Sequence, residues 1–249
     1  MSESKNKKVV YLKDYVKGVD GSLEDKIVVG SDIRPGQAVN IAVANAPAQV
    51  VTNGFDEFRV VKIKDDINKF LENPGECLIE ITEDISSRFQ QKFFGHSSKQ
   101  DFLLQVSQFL KSSSFRRVRD DVYLIADELF TNFSKSAPNN TQSMKFGIDA
   151  NDDTVVIYCR DHFGSLVPND MLANIQRCFD KGVKNAIKQD KGSGAGIGSY
   201  LIYTLGVGLA LTVDPGKGSL VVIWMPKDVH HEDRVDMNKS LIIIESKES

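Results

Sequence analysis

At 249 residues, with 41% hydrophobic and 26% charged side chains, the chain is long enough to bury a full core and too apolar for wholesale disorder. Its 31 basic and 34 acidic residues leave a net charge of −3, which excludes the global positive field of a general nucleic-acid binder. Cys77, Cys159 and Cys178 share no CxxC spacing, so neither a disulfide framework nor a zinc ribbon is expected. No apolar run approaches the roughly 20 residues that span a bilayer. The charged N-terminus lacks the apolar centre of a signal peptide, and a cytoplasmic protein without membrane or nucleic-acid partners is expected.

In chain order, residues 1–26 are polar and lysine-rich and are expected to form a flexible tail. A small β-rich module is expected over 27–75. Its short strands fall at 26–29, 39–43, 49–52 and 58–63, separated by Gly and Pro. A short helix at 65–71 and the turn Asn73-Pro74-Gly75 close it. Residues 77–82 alternate as a strand does. Over 100–111, Phe102, Leu103, Val106, Phe109 and Leu110 recur at helical spacing, and Val122, Ile125, Leu129 and Phe133 line one face of a second helix over 117–136. A hairpin follows, with strands at 143–149 and 154–160 about Asn151-Asp152-Asp153. A helix over 171–180 has Asn169 and Asp170 as candidate caps and Gly182 as its stop. After a glycine run come a short helix at Ile197–Leu205 and a second hairpin, 209–213 with 219–224.

Hairpins exclude an all-parallel sheet, so the expected class is α+β, a two-layer sandwich whose mixed, mostly antiparallel sheet carries helices on one face. Residues 228–249 form an expected C-terminal extension. Within it, His230-His231-Glu232-Asp233 reads as a solvated loop and 240–245 as a strand around Leu241-Ile242-Ile243-Ile244. Such an apolar strand must be covered, by joining the sheet, packing on the N-terminal module or pairing across a homodimer; burial within its own chain is the default.

Three motifs carry chemistry. Glu128 and Asn132 stand at i and i+4 and project from one helix face, with Lys135 a further turn along. Magnesium prefers hard oxygen ligands and keeps several waters, so one Asn oxygen with phosphates suffices to anchor it. A lysine can neutralise phosphate as a point charge. In the second motif, the apolar strand Val156-Ile157-Tyr158-Cys159-Arg160 ends in Asp161-His162-Phe163-Gly164, where a carboxylate beside an apolar floor can accept the exocyclic amine of adenine. The third is Gly192-Ser193-Gly194-Ala195-Gly196-Ile197-Gly198, which leads into a helix. Such glycines let backbone amides and the helix dipole approach a phosphate. It matches neither G-x-G-x-x-G nor a P-loop.

In order and interval, these pieces resemble the N, G1 and G2 boxes of the GHKL (Bergerat-fold) ATPase and kinase superfamily. The resemblance covers about residues 76–227. Asn132-Phe133-Ser134-Lys135 looks like the Asn-x-x-Lys of histidine kinases, and Ser219 stands where these domains usually place a Thr near the adenine. The resemblance implies ATP and Mg²⁺ as cofactors, with Glu128 as general base, Asn132 as Mg²⁺ ligand, Asp161 as adenine selector and the glycines as phosphate cradle. Lys135, Gly164, Ile197 and Ser219 would complete the binding set. The turn from Asp161 to Gly164 is one residue longer than the family's Asp-x-Gly. Lys181, Lys184, Lys188 and Lys191 lie in the segment that would form a lid. The compact layout looks most like anti-sigma-factor serine kinases and related switch kinases, which regulate a protein partner. Two alternatives stay open: a histidine-kinase-like catalytic domain acting on a separate histidine-bearing chain, and a non-catalytic ATP-gated binding module.

Overall fold

The computed structural model describes residues 9–11, 27–30, 35–44, 50–53, 86–137, 142–164, 166–189, 197–216, 218–237 and 239–245. Their strands are β1 (Val9–Tyr11), β2 (Ile27–Gly30), β3 (Val50–Asn53), β4 (Ser87–Phe94), β5 (Ser143–Ala150), β6 (Thr154–Asp161), β7 (Gly208–Asp214), β8 (Gly218–Pro226) and β9 (Ser240–Glu245). The helices are α1 (Pro35–Ala44), α2 (Lys99–Phe109), α3 (Arg119–Ser136), α4 (Pro168–Lys181), α5 (Val183–Gln189), α6 (Ile197–Leu205) and α7 (His231–Asp236). The strands form one mixed sheet in the order β1-β2-β3-β9-β7-β8-β6-β5-β4. From β4 to β7 every pairing is antiparallel, whereas β9 lies parallel to β7 and antiparallel to β3.

Strand alternation sorts side chains between the two faces. Met144, Phe146 and Ile148 of β5, Val155 and Ile157 of β6, Leu209 and Leu211 of β7, Ile223 and Met225 of β8, and Leu241 and Ile243 of β9 all join one buried cluster. Phe102 and Val106 of α2, Val122, Ile125 and Leu129 of α3, Leu172 and Ile175 of α4, and Ile202 of α6 complete it. The α+β two-layer sandwich expected from the hairpins is the observed fold. Its densest point is aromatic: Phe102 stacks on Phe130 at 5.0 Å and meets Phe93 and Phe146 edge-on at 4.5 and 5.0 Å.

Several local expectations are corrected. Residues 39–43 belong to helix α1, not to a strand. Val39, Ile41 and Val43 alternate as strand residues do, but Pro35 suits a first helical turn, and Ala38, Val39 and Ala42 are the positions that bury. Packing against α4 overrides the β-branched preference. The cap of α4 is Val167 with Pro168 following, which puts Asn169 and Asp170 inside the first turn; Gly182 does end it, with φ 74. The loop expected at 230–233 runs instead into α7. Strand β4, to which no element was assigned from sequence, buries Phe93 and half-buries Phe89 against the helices. The elements expected at 58–63, 65–71 and 77–82 lie outside the described residues. The apolar strand at 240–245 takes the first of its three options and joins the sheet, as do β1, β2 and β3. No helix among the described residues is long and apolar enough to cross a membrane.

Candidate functional site

Helix α3 forms because its apolar residues recur at helical spacing, and their burial turns the Glu128–Asn132 face toward the end of β6 and the start of α6. A slot of about 70 Å³ opens there, walled by Leu129, Phe133, Cys159, Ile202 and Val221, with Asn132 and Asp161 at its polar positions. The Phe133 and Phe163 rings flank it, 5.8 Å apart.

Asp161 is the most constrained group. Its Oδ1 accepts from the backbone N–H groups of Phe163 (2.9 Å), Gly164 (2.8 Å) and Ser219 (3.2 Å), and its Oδ2 accepts from the Ser219 hydroxyl. Register sets this up, because Asp161 of β6 and Ser219 of β8 are directly opposite. The long turn is thus closed by the carboxylate itself. Gly164 adopts φ 61, a left-handed conformation that glycine tolerates, and so presents its amide to Asp161. Gly218 meets the same turn: an added Cβ would stand 2.9 Å from the Asp161 carbonyl oxygen.

Glu128 is half-buried and lies against the first turn of α6. A Cβ at Gly198 would come within 2.0 Å of Glu128 Oε2. Burial, aided by the Asp127 charge, raises the Glu128 pKa, while Lys99 and Lys135 pull it down. Lys99 was not singled out in the sequence. Its ammonium donates to Asp127 Oδ1 at 2.7 Å and to Thr131 Oγ1 at 2.8 Å, which ties the start of α2 to the acidic face of α3. No local pattern marks it, since its partners lie more than two dozen residues away.

The structure therefore brings together Glu128, Asn132, Asp161, Gly164, Gly198 and Ser219 around the meeting of α3, α6 and the β6–β8 end. Lys135 is exposed on the last turn of α3, and Ile197 opens α6. Gly192, Gly194 and Gly196 lie outside the described residues, as does Lys191. Lys181 closes α4 and Lys184 is exposed on α5. Sequence reasoning also missed the apolar wall, because Cys159, Met171, Ile202 and Val221 come from four separate elements. Among the described residues, no group of three or more His, Cys, Asp or Glu side chains is arranged to hold a metal. Any cation at Asn132 would draw most of its ligands from a bound anion and water.

No family model matches the chain, and no curated protein matches it. A chain in the crystal structure of the SiaB-SiaC complex from Pseudomonas aeruginosa is similar to it at a TM-score of 0.38 and 12% identity, over 64% of this chain and 99% of that one. A likeness this low carries no functional inference.

Proposed function

We propose that this slot binds Mg-ATP in the manner of the GHKL superfamily, and that the protein is a serine/threonine kinase or ATPase of the switch-kinase type regulating a protein partner. The observation that carries this is the placement of Asp161. It is fixed by three amides and the Ser219 hydroxyl, and it shares an apolar slot with Asn132.

Candidate residues are present for each part of the ligand. Apolar walls from Leu129, Phe133, Ile202 and Val221 would contact a purine, and the Asp161 carboxylate would accept its exocyclic amine. Asn132, exposed one turn beyond Glu128, would supply the protein oxygen to Mg²⁺. The amide-bearing start of α6 at Ile197 and Gly198 would face the phosphates, with Lys135 adding positive charge. When bound, Mg-ATP supplies the phosphoryl group and the charge neutralisation that its transfer needs. Glu128 would orient the attacking hydroxyl or water and accept its proton. Burial raises its pKa from the ordinary carboxylate value, which makes it a stronger base than a solvated carboxylate.

The test is equilibrium binding of Mg-ATP together with turnover in the purified protein. Asp161→Asn is expected to weaken ATP binding by about tenfold or more and to lower its preference over GTP. Glu128→Gln is expected to retain ATP affinity while turnover falls about 10²-fold or more. Equal affinity of wild type and Asp161→Asn for ATP would refute the site. Tight binding without turnover in the wild type would leave an ATP-gated binding module.

A further inference from the structure

On the sheet face turned away from the helical core, β4, β5 and β6 place three cations in one row. Lys92 pairs in register with Lys145, and Lys145 with Arg160. All three are exposed. Like charges directly opposite one another destabilise a strand pair, and Lys145 meets one on each side. The cross-strand and diagonal neighbours on this face are Gln90, Phe94, Ser143, Gly147, Tyr158, His162, Gly218, Leu220 and Val222, none of them acidic. Among the described residues, no carboxylate forms an ion pair with the row.

Elsewhere the same strands do compensate charge. Two rows away, Arg88 stands opposite Asp149 and donates to both its oxygens, at 3.0 and 3.3 Å, with Asp149 fully buried. The row between is neutral and flat. The Tyr158 ring lies over Gly147, where a Cβ would come 2.0 Å from a ring carbon, and its hydroxyl accepts from Gln90 at 2.6 Å. A groove of about 310 Å³ opens here, lined by Gln90, Gln91, Lys92, Lys145 and His162. It borders β4, the last strand of the sheet among the described residues.

We propose that the Lys92–Lys145–Arg160 row is a docking surface for an acidic, carboxylate-bearing segment of a protein partner. Glu or Asp side chains lying in the groove would neutralise the row and remove the repulsion that the free protein carries. A net charge of −3 gives an extended polyanion such as nucleic acid no overall attraction, which favours a short acidic segment that meets only this row. Arg160 and His162 flank Asp161 in sequence, so the end of β6 would bring the partner close to the slot on the opposite face. The docking surface stands whether or not the slot binds ATP.

The probe is a fluorescein-labelled octaglutamate peptide, read by anisotropy at low salt and paired with thermal unfolding of the free protein. Lys145→Gln is expected to weaken peptide binding by about fivefold or more and to raise Tm, because the middle cation repels both neighbours. The same loss of charge at Lys111, exposed beyond α2, is expected to change neither. The proposal is overturned by unchanged peptide affinity in Lys145→Gln, by a lower Tm in that variant, or by preference for a single-stranded oligonucleotide of equal charge.

Discussion

A missing side chain at position 198 lets Glu128 sit against the helix that opens the phosphate end of the proposed site. The contact is with the far end of a flexible carboxylate, so a methyl group there would displace the carboxyl rather than break the fold. Gly198→Ala is therefore expected to change stability by less than about 1 kcal/mol. The same change is expected to lower turnover by roughly 10²-fold, the cost of misplacing a reacting group by about an ångström. Chemical unfolding and steady-state kinetics on one preparation check both; a large stability loss with normal specific activity would sink the assignment. Gly147 makes a useful contrast. There the neighbour is the ring of Tyr158, buried and bonded to Gln90, so added bulk has nowhere to go. Gly198 ends a glycine run and Gly147 stands alone in a strand, and what each would meet is set by its surroundings: a flexible carboxylate for one, a packed ring for the other.

The elements beyond β8 hold the site helices from behind. Arg234 of α7 is fully buried; its Nε donates to the Leu205 carbonyl at 3.1 Å, and its other nitrogens reach Val229 O and Asp121. Lys239, also fully buried, donates to the carbonyls of Thr204, Gly206 and Arg234. Cations at a helix C-terminus satisfy its orphan carbonyls and complement its dipole, so both residues cap α6. Burial, reinforced by the Arg234 charge, pushes the Lys239 pKa from 10.5 down to about 7. Between those values the unfolded chain keeps a proton that the folded chain releases, so stability rises with pH across that window and the burial penalty is full below it. Wild type is expected to gain up to about 1 kcal/mol per pH unit between pH 7 and 9 relative to Lys239→Met. The three carbonyl bonds favour the ammonium and moderate the slope. Identical pH slopes for the two proteins in urea titrations would show that Lys239 does not titrate in this range.

For the molecule as a whole, β9 is the strand that joins β3 to β7 and makes one sheet of the N-terminal strands and the rest. A chain ending at 227 would lose Arg234 and His231, the two partners that the Asp121 carboxylate holds in the full chain. It would also uncover the cluster around Leu241 and Ile243 and expose β7 as an edge. Lost apolar burial and an unpaired sheet edge both favour association over cooperative folding. The truncated chain is expected to aggregate or to lose cooperative unfolding, as judged by size-exclusion chromatography and calorimetry. A soluble, cooperatively folding product would instead show that residues 228–249 are dispensable to the fold.

The mixed sheet under helices was legible in the sequence, as were α2, α3, α6 and both hairpins, because each depends on a periodicity contained within its own residues. Two of the chemical motifs were legible too. Glu128 and Asn132 share a helix face by spacing alone, and Asp161 ends a strand by pattern alone. Tertiary structure decided what those residues meet: Asp161 against Ser219, Glu128 against Gly198, Lys99 against Asp127, and Arg234 against Asp121. It also made α1 a helix, put β9 between β3 and β7, and left Lys92, Lys145 and Arg160 facing one another. These outcomes depend on register and packing between segments distant along the chain, where the free energy comes from shared burial, and local periodicity carries no record of which distant surface will supply it.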